Sequence, residues 1–149
     1  MKIKIHNNIS QIGRDAWDNL NDGNPFTSYD YLYALEETNC LGAQNGWQIS
    51  HVSISQDDEI IGLCPLYLKY HSQGEYVFDY SWADAFENAG GQYYPKLLCA
   101  VPFTPVQGLR ILAKNKDAEN AIIDGLKAIC INNSLSSVHI NFPELEQVK

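Results

Sequence analysis

Carboxylates and aromatic side chains alternate in residues 74–96, and this pattern is the one best suited to chemistry. If residues 75–80 form a strand, Glu75 and Asp79 share one face, and the other face is aromatic: Tyr76, Phe78 and Tyr80. A carboxylate held against aromatic surface loses hydration, which raises its pKa and makes it a general base near neutral pH. The pattern therefore predicts an acidic pocket.

Two further residues of the same stretch, Trp82 and Asp84, follow closely enough to join that pocket. A second interpretation remains open. The carboxylates would then face solvent on a strand whose aromatic side belongs to the core.

Two cations flank a loop rich in proline, residues 102–108. Lys96 precedes the loop and Arg110 follows it. Because cations are scarce in this chain, the two are candidates to hold a phosphate or a carboxylate. The alternative is that each pairs with one of the 18 acidic residues at the surface. A phosphate loop is weakly supported, since Gly108 is its single glycine and no helix follows directly.

Composition excludes several classes of protein. The 149 residues carry 10 Lys and Arg against 18 Asp and Glu, a net charge of −8, which argues against an extended nucleic-acid surface and against docking on an anionic membrane. The longest apolar run, residues 60–68, is too short to span a membrane. The N-terminus lacks the apolar region of a signal peptide, which predicts a cytoplasmic protein. The four cysteines lack metal-site spacing, so we expect buried thiols and no metal.

The predicted elements mix strands and helices in one domain, residues 1–149. Strands are predicted at residues 2–5, 48–55, 60–70, 75–80, 96–101 and 137–142, and helices at 9–20, 27–39, 81–89 and from Asp117 onward. Pro65 cannot donate to a ladder, so it marks an edge or a bulge. The order predicts an α/β (α+β) fold, a mixed, mainly antiparallel sheet flanked by helices. Because the last strand lies so near residue 149, we expect the fold to be incomplete at its C-terminus.

Several short motifs occur in a fixed order along roughly residues 24–142. They lie at residues 46–47, 65–69, 74–79, 82–83, 93–97 and 102–106, followed by Gly108 and Arg110. This order resembles the N-terminal part of the FemAB-like bacterial proteins of the GNAT superfamily, which are described as acting in peptidoglycan biosynthesis or recognition. The resemblance implies a GNAT-like fold and places the chain in the N-terminal half of a longer, two-domain family.

The resemblance also implies an acyl or aminoacyl transfer to an amine, such as one on a peptidoglycan precursor. The donor would be acyl-CoA or aminoacyl-tRNA, with its carbonyl bound by a backbone N–H on a bulged strand near Pro65. Glu75 or Asp79 would act as base and Tyr76 or Tyr94 as acid. Substrate-binding residues would be Trp82, Asp84, Tyr94, Lys96, Phe103, Thr104 and Arg110. The glycine-rich pyrophosphate loop of acetyl-CoA enzymes is absent, which disfavours CoA binding by this part.

Three functions stay open at this point. The first is a transferase domain that supplies the acceptor site for a small-molecule or peptide-like substrate. The second is a non-catalytic module that recognises a peptidoglycan precursor or peptide through the aromatic and acidic stretch. The third is a domain whose exposed sheet edge pairs with another copy, as a homodimer, or with a C-terminal half.

Overall fold

The computed structural model describes residues 1–148, which form two four-stranded sheets and four α-helices. The strands are β1 (Lys2–His6), β2 (Trp47–Ile49), β3 (His51–Gln56), β4 (Glu59–Cys64), β5 (Leu66–Lys69), β6 (Lys96–Cys99), β7 (Leu112–Ala113) and β8 (Val138–Ile140). The helices are α1 (Arg14–Asp18), α2 (Tyr29–Glu37), α3 (Tyr80–Asn88) and α4 (Lys116–Asn132). The predicted α+β class, with mainly antiparallel strands flanked by helices, is confirmed, although the strands form two sheets.

One long hairpin runs through both sheets. The first sheet has the order β1-β3-β4-β7, and the second has the order β2-β5-β6-β8, in which only β6 and β8 are parallel. Each arm of the hairpin changes sheet at one residue, Ser50 on the first arm and Pro65 on the second. The predicted strands 48–55 and 60–70 are therefore each two strands. Pro65 has no N–H to donate, which ends the ladder of β4 at this point.

The turn of this hairpin consists of Asp57 and Asp58, between the paired residues Gln56 and Glu59. Both turn residues are left-handed, with φ of 51° and 63°. A two-residue turn with both φ values positive is type I′, which strongly favours glycine at its second position.

We expect Asp58→Gly to raise the free energy of unfolding by about 0.5 kcal/mol, because glycine adopts this conformation without the Cβ penalty. Asp58→Ala removes the same charge but keeps the Cβ, so it is the matched control and should stabilise less. Urea unfolding of the two variants measures the difference. A glycine variant no more stable than the alanine variant would contradict the assignment of the turn.

Helix α4 covers one face of both sheets. Its buried residues Ala118, Ile122 and Leu126 pack against the inner residues of β3, β4, β5 and β6. Strand alternation then sends the remaining residues of β5 and β6 to the opposite face of the second sheet. A separate cluster formed by α1 and α2 covers the other face of the first sheet. None of the helices in residues 1–148 is long and apolar enough to cross a membrane.

Two sequence-based predictions of secondary structure are wrong. Residues 75–80 are not a strand but a loop leading into α3, in which Tyr76 and Phe78 are left-handed with φ of 60° and 55°. A strand cannot contain such residues. The predicted helix at residues 9–20 is divided at Gly13, whose φ of 92° separates a short 3-10 turn from α1.

Candidate functional site

A row of three large side chains lies on the face of the second sheet opposite α4. The register pairs Trp47 with Lys69 across β2 and β5, and Lys69 with Lys96 across β5 and β6. Residues directly opposite each other in neighbouring strands share a face. All three side chains are buried, and the two lysines have no exposed surface. The sequence thus places two ammonium groups side by side under the surface, where each requires a partner.

Lys96 finds its partners in the loop that follows β5. Its Nζ donates to Ser72 Oγ at 3.1 Å, Glu75 Oε2 at 3.0 Å and Asp79 Oδ2 at 3.0 Å. These contacts occupy all three donors of an ammonium group. Tyr93 adds a hydrogen bond to Asp79 Oδ2 at 2.7 Å, and Tyr94 bonds to Ser72 Oγ at 2.7 Å. We call this group the Lys96 cluster: Ser72, Glu75, Asp79, Tyr93, Tyr94 and Lys96.

The two carboxylates of the Lys96 cluster differ in their electrostatics. Burial raises the pKa of Glu75, and the attraction of Lys96 only partly opposes this. Burial acts on Asp79 in the same direction, but the hydroxyls of Ser72 and Tyr93 and the Lys96 ammonium outweigh it and lower the pKa to about 2. One oxygen of each carboxylate, Glu75 Oε1 and Asp79 Oδ1, is buried without a hydrogen-bond partner.

Lys69 is held differently from Lys96, because it forms no salt bridge within residues 1–148. Its Nζ donates to the backbone oxygen of Gln73 at 3.1 Å and lies 3.5 Å from the centre of the Trp47 ring. Burial lowers the pKa of Lys69 to about 7, with Glu75 opposing the shift and Lys96 adding to it. The neutral amine is therefore well populated near neutral pH.

Hydrogen bonds from the buried side of the second sheet and from the proline-rich loop hold the loop of residues 71–79 in place. Trp47 Nε1 donates to the Gln73 oxygen at 3.1 Å, the same oxygen that Lys69 binds. The backbone N–H of Phe103 donates to the Gly74 oxygen at 3.2 Å. The loop therefore has a buried polar side and an opposite side that faces solvent.

A groove of about 390 Å³ opens where this loop meets the proline-rich loop. Its walls come from three parts of the chain: Cys40, Gln44, Asn45, Trp47, His71, Gln73, Gly74 and Phe103. The Trp47 and Phe103 rings lie 5.2 Å apart between centroids. Position 74 requires glycine, because its φ is 80° and a Cβ there would lie 2.7 Å from the Phe103 ring. Burial, and then Lys69, lowers the pKa of His71, so the lining carries no formal charge near neutral pH.

The structure brings four of the predicted site residues together in the Lys96 cluster: Glu75, Asp79, Tyr94 and Lys96. Phe103 lines the groove instead, and Thr104 next to it bonds through Oγ1 to the Tyr31 hydroxyl at 2.9 Å. The side chains of Tyr76, Trp82 and Asp84 are exposed, and none of them forms a hydrogen bond or salt bridge with the cluster carboxylates. The acidic residues of the predicted pocket are thus partly buried and partly at the surface.

Arg110 lies apart from Lys96, at the other end of β6. Its backbone oxygen accepts from Cys99 Sγ at 3.3 Å, and its buried guanidinium donates to backbone oxygens of Asn141, Leu109 and Val106. Neither Lys96 nor Arg110 has exposed side-chain surface. The two cations therefore do not form one anion site, and a role for either in holding an anion stays a prediction.

A second buried group of side chains lies at Pro65, where the second arm of the hairpin passes from β4 to β5. The N–H of Leu66, the donor nearest to Pro65, bonds to His51 Nδ1 at 3.2 Å. His51 Nε2 bonds to Glu36 Oε1 at 2.8 Å, and Glu36 Oε2 accepts from the backbone N–H of Ile9 at 2.9 Å. The backbone donor expected to bind a substrate carbonyl is thus occupied by the protein itself.

Sequence reasoning missed three of these buried residues: Glu36, His51 and Lys69. Glu36 and His51 lie 15 positions apart, so no local spacing marks them as a pair. Lys69 has a signal that could have been used, because it ends an apolar run that fits a strand buried on both faces. Within residues 1–148, no three His, Cys, Asp or Glu side chains are grouped so as to hold a metal ion.

The fold and the site define an α+β domain with a neutral aromatic groove above a buried lysine and carboxylate cluster. The chain belongs to the FemAB-like family, whose model, described as peptidoglycan biosynthesis/recognition, matches residues 8–149. No curated protein matches the chain, and no solved structure matches it.

Proposed function

We propose that this chain recognises a peptidoglycan precursor or muropeptide and binds it in the groove lined by Trp47 and Phe103. The observation that carries the proposal is an open groove with an aromatic wall and neutral polar lining in a member of this family. Sugar rings and peptide amides, the parts of a muropeptide, match such a lining. Their apolar faces pack on aromatic rings, and their polar groups bond to amides such as those of Gln73 and Gln44.

The state of the ionisable groups favours recognition over catalysis within this part of the family fold. Asp79, with a pKa of about 2, is a weak base near neutral pH. The Glu75 side chain has no exposed surface and is bound to Lys96. The N–H of Leu66 already has His51 as its acceptor. The Lys96 cluster supports the loop that forms one wall of the groove.

The backbone of Phe103 adds support for a binding role. Its φ of 59° is left-handed, and its ring remains 39% exposed. A left-handed backbone costs roughly 1 kcal/mol for a residue other than glycine. Backbone strain of this kind is found most often where a side chain contacts a ligand.

The proposal is tested by titrating the chain with a UDP-linked muropeptide precursor in a calorimeter. We expect Phe103→Ala to weaken binding about tenfold or more, equivalent to about 1.4 kcal/mol, because an aromatic wall is lost. Trp82→Ala is the control, since Trp82 is exposed outside the groove. Equal affinities for wild type and Phe103→Ala, with both folded by circular dichroism, would refute the groove as the site.

A second candidate function is acyl or aminoacyl transfer to an amine of that ligand, with acyl-CoA or aminoacyl-tRNA as donor. One observation favours it, namely that the pKa of Glu75 is raised and its Oε1 has no partner, as a general base requires. The amine would form an amide with the acyl carbon, and the thiol of CoA or the hydroxyl of tRNA would leave. Mass spectrometry of the precursor after incubation with each donor detects the product. Turnover that survives both Glu75→Gln and Asp79→Asn would exclude these carboxylates as the base.

A further inference from the structure

A second surface of the molecule, separate from the groove, displays aromatic side chains in solvent. Five exposed aromatic residues occur within residues 76–86: Tyr76, Phe78, Tyr80, Trp82 and Phe86. Phe78 and Trp82 are 74% and 72% exposed, and Ala83 is the single buried residue of α3. None of these residues lines the groove. Large aromatic residues gathered on one exposed segment mark an interaction surface.

Local conformational preference does not account for this surface. Tyr76 and Phe78 have left-handed backbones, a conformation in which glycine is less costly. Glu87 lies near the C-terminal end of α3, which has no basic residue in its last turn. A carboxylate at that end of a helix opposes the helix dipole. Such departures from local preference concentrate at functional sites.

The segment that contains these aromatic residues has acidic side chains but no lysine or arginine. Residues 74–95 contain four carboxylates and no lysine or arginine. Glu75 and Asp79 both pair with Lys96 inside the protein, whereas Asp84 and Glu87 are exposed. Carboxylates and the faces of aromatic rings both attract cations. Within α3, Trp82 and Phe86 lie on one side of the helix, and Tyr80, Asp84 and Glu87 lie on the other, with the buried Ala83 between them. We call this exposed surface on both sides of Ala83 the α3 face: Tyr76, Phe78, Tyr80, Trp82, Asp84, Phe86 and Glu87.

We propose that the α3 face docks a cationic polypeptide segment that crosses the helix, with arginine or lysine side chains that stack on Trp82 on one side of α3 and pair with Asp84 and Glu87 on the other. Charge complementarity selects this partner. An anionic membrane and a second copy of this chain, with its net charge of −8, would both be repelled. Arginine is favoured, because its planar guanidinium both stacks on rings and binds carboxylates.

The test uses fluorescein-labelled oligoarginine and oligolysine peptides, with oligoglutamate as the negative probe, and follows fluorescence anisotropy. We expect the cationic peptides to bind and to weaken as salt is added, and oligoglutamate not to bind. Trp82→Ala and the pair Asp84→Asn with Glu87→Gln should each lower the affinity at least about fivefold. All three residues are exposed, so the variants should fold normally.

Matched controls separate this proposal from the groove. Asp124→Asn removes an exposed carboxylate on α4, and Phe103→Ala alters the groove, so both should bind the peptides like wild type. Binding that does not respond to Trp82→Ala would overturn the proposal. So would a dimer, measured by sedimentation, that dissociates in Trp82→Ala, or binding to phosphatidylglycerol vesicles that requires Trp82. Those two results would assign the face to a second copy or to a membrane.

Discussion

Lys96→Met is expected to lower the free energy of unfolding by about 3–5 kcal/mol, the usual cost of removing one partner from a buried ion pair. Methionine fills most of the volume but leaves Glu75 and Asp79 without the cation that both contact at 3.0 Å. Each carboxylate already has one buried oxygen with no partner, and of the two only Asp79 would keep a donor, the Tyr93 hydroxyl. Urea unfolding at neutral pH measures the loss.

The pH dependence of the same variant identifies the cause. Burial already raises the pKa of Glu75 above its ordinary value, and loss of the opposing Lys96 raises it further, so stability should recover as pH falls and Glu75 becomes neutral. The combined variant Lys96→Met, Glu75→Gln and Asp79→Asn should recover much of the loss at neutral pH. Lys114→Met, which breaks an exposed pair with Glu59, should cost less than about 1 kcal/mol. A Lys96→Met protein as stable as wild type would show that the cluster does not support the loop.

Lys69 should make the wild-type protein more stable as pH rises above neutral. Its pKa is about 7 in the folded protein against an ordinary value of 10.5, so between these two values the unfolded chain binds the proton more strongly. Proton uptake on unfolding means that stability increases with pH, and the penalty of the buried ammonium is fully present below pH 7. Over the range from pH 7 to about 8.5 the rise should be on the order of 2 kcal/mol.

Lys69→Met is the variant that isolates this effect. Methionine packs on the Trp47 ring without a charge to desolvate, so the stability of the variant should vary little between pH 7 and about 8.5. Burial raises the pKa values of Cys64 and Tyr67 in the fold, but wild type and Lys69→Met share these residues, so the difference between their slopes reports Lys69. Lys4→Met, at an exposed position, should keep the wild-type slope. If the free energy of unfolding rose equally with pH in Lys69→Met and in wild type, a group other than Lys69 would be responsible for the pH dependence.

The sequence predicted that buried and exposed side chains alternate in residues 75–80, but it did not predict which of the two sets is buried. Glu75 is buried and Asp79 is largely buried, whereas Tyr76 and Phe78 are exposed, the reverse of what side-chain polarity suggests. Which set is buried depends on Lys96, 17 to 21 residues further along the chain. Its position under the loop depends in turn on the pairing of β5 with β6. Such a contact is set by sheet register, which local pattern does not contain.

Long apolar segments were easier to predict than the groove. Helices α2 and α4 follow from the spacing of their apolar residues. Lys96 stands out as a cation beside the proline-rich loop, and the family resemblance points to Phe103 within that loop. The groove takes its walls from residues near 40–47, 71–74 and 103, which only the tertiary fold brings together. Arg110 appeared available to an anion because sequence does not reveal that three backbone oxygens already surround its guanidinium.

The hairpin that runs through both sheets also has a consequence for the order of folding. Its two-residue turn joins strands that are adjacent in the chain, so closing it costs little loop entropy. Once its two arms have paired beyond Ser50 and Pro65, the hairpin supplies two strands to each sheet: β3 and β4 to the first, and β2 and β5 to the second. We expect this hairpin to form early and to act as a shared nucleus. The two sheets should then appear together in refolding and be lost together in a single cooperative transition.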